Sequence, residues 1–120
     1  MKRDLEYEKY KKYEVLYPEK ERFDSFYKTL NKDSYSHRFK FENGYGASVI
    51  KHYGSYGFEK DLFELAVLFF EDEDSYGRIT YNTSVTNDVL GFLNNEQVLG
   101  YLEKIKNLNE HGRYDEENIL

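Results

Sequence analysis

The spacing of hydrophobic and polar positions changes along this chain, and each change predicts an element. From Lys2 to Leu16 no helix breaker occurs, Tyr10, Tyr13 and Tyr17 fall at i, i+3 and i+7, and Glu8 stands four residues before Lys12. This pattern predicts a first helix. Pro18 sits where a second would start, Glu19 and Glu21 load its first turn, and Phe23, Phe26, Tyr27 and Leu30 form a helical stripe. Short polar residues at 31–33 should end it.

From Tyr35 the period becomes two, with Tyr35, His37, Phe39 and Phe41 alternating against Ser36, Arg38, Lys40 and Glu42. Asn43-Gly44 reads as a two-residue type I′ turn, and Tyr45 to Tyr53 as the returning strand. Pairing Glu42 with Tyr45 would place Tyr35, His37, Phe39, Phe41, Gly46, Ser48, Ile50 and His52 on one face. Leu62 to Phe70 reads as a central strand, its run Leu65 to Phe70 buried on both faces, and Arg78 to Asn82 as a fourth. Thr86 is placed to cap a short helical turn through Val89, Leu90 and Leu93. Asn94 and Gln97 are spaced as a capping box for a last helix through Val98, Leu102 and Ile105. The expected fold is therefore α+β: two N-terminal helices, a three- to four-stranded antiparallel meander, and a C-terminal helix packed on it. It forms a single domain over 1–120, with a helical segment at 1–33, a sheet-and-helix core at 34–108 and a frayed polar tail at 109–120.

Composition removes several function classes. With no cysteine among 120 residues, disulfides, thiolate catalysis and zinc-thiolate sites are excluded. No apolar run approaches a bilayer's thickness, and charges interrupt the first residues too soon for a secretory signal, so a cytoplasmic protein without membrane contact is expected. Residues 71–120 hold four basic and eleven acidic side chains, a local net charge of −7 within a chain of net charge −6. Such a surface repels phosphate backbones, which disfavours direct nucleic-acid binding and favours a basic partner.

The candidate chemistry is sparse. His37 and His52 would lie diagonally across the hairpin on one face, a candidate metal or acid–base pair without a third ligand at motif spacing. Asp72-x-Asp74 resembles the start of a calcium loop, but Tyr76 and Thr83 occupy positions five and twelve, so no metal or cofactor is expected. No phosphate-binding glycine loop or serine-nucleophile elbow occurs, and no enzyme is expected. Glu71, Asp72, Glu73 and Asp74 could mimic a row of phosphates, because alternate side chains in an extended segment lie roughly 6–7 Å apart. The plain alternative is a solvated hairpin loop. Thirteen tyrosines and no tryptophan add candidate interface residues, with Tyr10, Tyr13 and Tyr17 serving either a partner or the sheet.

The stretches Phe41 to Ile50, Tyr53-Gly54-Ser55-Tyr56-Gly57, Leu62 to Leu68, Ile79 to Thr83 and Thr86 to Leu93 resemble a group of small uncharacterised bacteriophage proteins. The resemblance covers roughly residues 39–108, excludes the N-terminal helical segment, and shows a short turn where this chain has its acidic run. It implies no catalytic residues. What it implies is a phage accessory protein, acting in the host cytoplasm as an anti-defence inhibitor of the anti-CRISPR kind. The expected partner is a host defence or nucleic-acid-handling protein, contacted through Glu71, Asp72, Glu73, Asp74, Tyr76, Asp88, Glu96 and Glu103, with Glu110 as an extension. A homo-oligomeric assembly protein and a small metal-dependent enzyme using His37 and His52 are the alternatives.

Overall fold

The computed structural model describes residues 5–17, 19–30, 34–71 and 76–114. Among them six strands form one antiparallel sheet: β1 Glu14–Val15, β2 Tyr35–Lys40, β3 Tyr45–Lys51, β4 Phe63–Phe69, β5 Arg78–Ile79 and β6 Leu90–Leu93. Helices α1 Lys20–Leu30 and α2 Asn95–Lys106 join short 3-10 helices at Glu8–Tyr13 and Phe58–Lys60. The sheet order is β1-β2-β3-β4-β5, with β6 also beside β4. β5 pairs with the end of β4 at Leu68 and Phe69, and β6 with its start at Phe63 and Leu65.

This architecture corrects the expected one at three places. The first predicted helix is a 3-10 helix followed by the edge strand β1, which pairs Glu14 with Phe39 and Val15 with Arg38. Tyr7, Tyr10 and Tyr13 recur every three residues, matching the three-residue turn of a 3-10 helix. They pack on the sheet, Tyr7 against Phe39 at 5.4 Å and Tyr13 against Phe41 at 5.0 Å between ring centroids.

The second correction is the predicted helical turn at Val89 to Leu93, which is strand β6. Thr86 Oγ1 accepts from the N–H of Asp88 at 3.0 Å, a local turn rather than a helix cap. Phe92 then takes φ +58°, which no helix accommodates.

The third is the hairpin register. Lys40 pairs with Gly46 and Phe39 with Ala47, and the N–H of Phe41 donates to the carbonyl of Tyr45. The turn thus holds three residues, closed by Gly44 at φ +88°, the three-residue hairpin with a glycine bulge. One added residue moves β3 by one step and exchanges its faces. Tyr45, Ala47, Val49 and Lys51 now share a face with Tyr35, His37, Phe39 and Phe41, while Ser48 and Ile50 face the other way. His37 and His52 are on opposite faces, so the predicted metal or acid–base pair does not exist.

The corrected face is the core. Phe39, Ala47, Val49, Leu65 and Val67 meet Val98, Leu102 and Ile105 of α2, all of them buried. As the spacing predicts, Asn94 Oδ1 accepts from the N–H of Gln97 and Gln97 Oε1 from that of Asn94, at 2.8 and 2.9 Å. The other end of α2 is closed by Asn43, whose Nδ2 donates to the carbonyls of Ile105 and Leu108 at 2.9 and 2.8 Å. Helix α1 forms where expected, yet none of its residues is buried. Phe23 and Tyr27 lie against His52, at 5.1 and 4.3 Å, and Phe26 and Leu30 stay exposed. The expected tail is held as far as Tyr114: Arg113 donates to Asn82 Oδ1 at 2.9 Å and Asn109 Oδ1 accepts from Arg113 N–H.

Candidate interaction site

The segment leaving β3 is a tightly bonded loop. Ser55 Oγ donates to the carbonyl of His52 at 2.8 Å and the N–H of His52 donates back at 3.1 Å. Gly57, at φ +96°, lets its carbonyl accept from Lys60 and Leu62 around the 3-10 turn Phe58–Lys60. The loop's two ends are joined by Lys51 and Asp61, Nζ to Oδ1 at 2.6 Å. The Lys51 side chain is 0% exposed and its ammonium stands 5.1 Å from the Phe63 ring. A buried ammonium is stabilised by a carboxylate at this distance.

This loop lies directly on β6. The N–H of Phe92 donates to the carbonyl of Tyr56 at 3.4 Å. A Cβ on Gly57 would stand 3.0 Å from Phe92 Cα, and one on Gly91 would stand 2.7 Å from Tyr56 Cβ. Glycine at both positions lets the two backbones touch, and the aromatic side chains beside them are turned outward. Tyr53, Tyr56 and Phe92 are 67%, 63% and 55% exposed. Together with Phe58 they line one groove of about 430 Å³, whose charged residues are Glu59 and Lys60. Glu64 Oε1 accepts the Tyr56 N–H at 2.9 Å and steadies the loop from β4.

Of the acidic residues singled out by sequence, Glu71, Asp88, Glu96, Glu103 and Glu110 are among the described residues, with Glu96 and Glu103 both on α2. Asp72, Glu73 and Asp74 lie outside the described residues. Glu71 is paired with Arg78 at 3.1 Å, and Tyr76 is exposed with its carbonyl accepting from Arg38. Asp88 caps its own turn through the N–H of Val89 at 2.7 Å. Glu96 is in the first turn of α2, beside Asp61 and Leu62, whereas Glu71 follows the far end of β4. Glu110 sits 3.6 Å from His111. Glu103 accepts from the hydroxyl of Tyr10 at 2.7 Å and lies 3.6 Å from Lys9. The Tyr10 hydrogen bond and then that of Asn107 hold its carboxyl below the usual range. Burial, reinforced by Glu103, pushes the Tyr10 phenol upward.

The predicted interface tyrosines are packing residues. Tyr10 is buried and Tyr13 half-buried against Phe41, and the Tyr17 hydroxyl is 2.6 Å from Ser36 Oγ. His37 borders a separate cleft of about 850 Å³ between the N-terminal segment and α1, where Lys11, Lys20 and Lys28 alternate with Glu6, Glu8 and Asp24. Glu14 bonds its Nδ1. Burial lowers the His37 pKa, against the opposing pull of that carboxylate. Among the described residues no group of three metal-ligating side chains occurs, and no helix is long and apolar enough to cross a membrane.

The chain matches no protein-family model, no curated protein and no solved structure. Neither charge nor periodicity in the sequence singles out Tyr53, Tyr56, Phe58 or Phe92. Their signal was the alternation of glycine with aromatic residues in Tyr53-Gly54-Ser55-Tyr56-Gly57-Phe58 and Gly91-Phe92, which marks backbone that must bend or touch rather than side chains that fill a core.

Proposed function

We propose that this protein is a phage-encoded anti-defence inhibitor, of the anti-CRISPR kind, that works in the host cytoplasm by occupying a nucleic-acid-handling protein and carries out no reaction. The observation that supports this reading is the groove of Tyr53, Tyr56, Phe58 and Phe92 on a loop clamped by Lys51 and Asp61. Aromatic anchors carry most of the affinity in protein interfaces, and a loop already ordered loses little entropy on docking. Phe92 at φ +58° adds a strained residue, of a kind that clusters at functional sites. The two segments that meet here also belong to those resembling small phage proteins. Net charge −6 discourages contact with nucleic acid itself and attracts a basic protein surface.

Phage plating on a defence-carrying host tests the reading. Expression of the wild-type chain should restore plating. Tyr53→Ala and Tyr56→Ala, checked to be folded by circular dichroism, should fail, while Glu71→Lys and Glu96→Lys should still protect. Full protection by both folded tyrosine variants would refute it. Self-association is the second reading, favoured by the exposed Leu16, Phe26 and Leu30 around α1. Light scattering that finds a monomer across a concentration series removes it.

A further inference from the structure

Lysines and arginines of the chain itself stand over Tyr10, Tyr13, Tyr17, Phe63, Phe70 and Tyr101, at 5.1–5.8 Å from ring centroids. Among the described residues no cation stands over Tyr53, Tyr56, Phe58 or Phe92; exposed rings such as Phe26 and Tyr81 share this, but these four line one groove, with Tyr53, Tyr56 and Phe92 exposed. Tyr53 and Phe58 meet edge to face at 6.5 Å. The surroundings add negative charge: Glu59 on the lining, Glu64 behind Tyr56, and net charge −6 overall. Lys60 on the lining is the opposing charge.

We infer that this groove receives an arginine side chain of the partner, its guanidinium stacked on the tyrosine and phenylalanine faces. The inference rests on the proposed binding role of the groove and specifies the chemistry of what enters it. Ring faces carry partial negative charge and attract cations. Of the two cationic side chains, arginine is planar and weakly hydrated, so it stacks at small desolvation cost in a half-open groove, whereas an ammonium keeps its water. A partner that handles nucleic acid carries such arginines on its phosphate-binding surface, so occupying them would also block that surface.

The test uses the full chain and a capped pentapeptide with arginine between glycines, followed by NMR shifts of the Tyr53, Tyr56 and Phe92 ring protons. A citrulline peptide of the same shape lacks only the charge and should bind about tenfold more weakly, the scale of one partly desolvated cation–π contact. The lysine peptide should also bind more weakly than the arginine peptide. Tyr53→Leu and Tyr56→Leu keep bulk but remove the ring faces, and should lose the preference for arginine over citrulline. Lys60→Glu should tighten arginine binding several-fold. Equal binding of the citrulline peptide, a preference for lysine, or arginine selectivity that survives both leucine substitutions would each overturn the inference. None of these measurements involves a host protein, so they fail independently of the plating experiment.

Discussion

Substitution of Phe92 separates the groove's backbone from its surface. Phe92 holds φ at +58°, a left-handed conformation costing an L-residue about 1–2 kcal/mol. Its residue is 55% exposed, so truncation gives up roughly half of the ~200 Å² an aromatic side chain can bury, or about 2 kcal/mol at ~25 cal/mol per Å². Phe92→Ala removes that burial and keeps the strain. Phe92→Gly removes the same ring and releases the strain, offset by the ~0.5–1 kcal/mol of extra chain entropy that glycine loses on folding. The glycine variant should therefore be the more stable of the two by about 0.5–1 kcal/mol, the reverse of the usual order within a strand. Urea unfolding with an unchanged slope measures the difference, and both variants should fail to support plating. An alanine variant as stable as the glycine variant would show that the backbone at Phe92 is unstrained. The claim that strain accompanies display of the ring would then be wrong.

Two glycines make opposite predictions: a Cβ on Gly46 would lie 1.8 Å from the Phe39 carbonyl oxygen, and one on Gly100 meets nothing within 4 Å. Gly46→Ala should lose more than about 4 kcal/mol and Gly100→Ala gain about 0.5–1 kcal/mol in urea unfolding; a stable Gly46→Ala would contradict the hairpin register. Asp61→Asn tolerates the φ of +61° at this position but removes the carboxylate that accepts from the Lys51 ammonium, and should cost about 1–3 kcal/mol; a thermal unfolding shift equivalent to less than about 1 kcal/mol would show that this ion pair does not stabilise the loop. Because burial lowers the His37 pKa below its ordinary 6.5, the unfolded chain takes up the proton first. That contribution to stability is complete above pH 6.5 and is lost as pH falls from there to the folded value. NMR titration that places His37 above 6.5 would reverse the sign.

The legible parts of the fold were those encoded by strong local chemistry. Asn94 and Gln97 mark the start of α2 because a capping box is a short-range arrangement of two side chains, and Phe23 to Leu30 mark α1 by period. β1 and β6 fall in stretches with a helical pattern because two or four residues are too few to show a period of two, and their extended form comes from pairing with β2 and β4. The hairpin error was smaller in sequence and larger in consequence. Asn43-Gly44 fits both a two-residue and a three-residue turn. The choice is made by distant contacts: Asn43 reaching the α2 carbonyls, and Ala47 and Val49 entering the core beside Phe39. A single residue then carried His52 away from His37.

The candidate site was less legible because the sequence reports how much charge and aromatic surface exist, and folding decides where each is exposed. Tyr10 and Tyr13 have the helical spacing of an interface stripe and are consumed by packing on Phe41, whereas Tyr53 and Tyr56 sit in a glycine-rich loop and remain on the surface. Charge behaves differently, since net charge −6 is a property of the whole chain and survives any arrangement of its carboxylates. A long-range field needs only the sum, but a contact footprint needs proximity, and Glu71 follows the end of β4 while Glu96 and Glu103 lie two turns apart on α2, with local partners for Glu71 and Glu103. The two properties therefore act on different steps. Salt should slow association with a basic partner and leave dissociation nearly unchanged, whereas loss of the Tyr56 or Phe92 ring should accelerate dissociation at any salt concentration. Had the acids formed the footprint, charge reversal at a single one of them would raise the dissociation rate as much as loss of a ring.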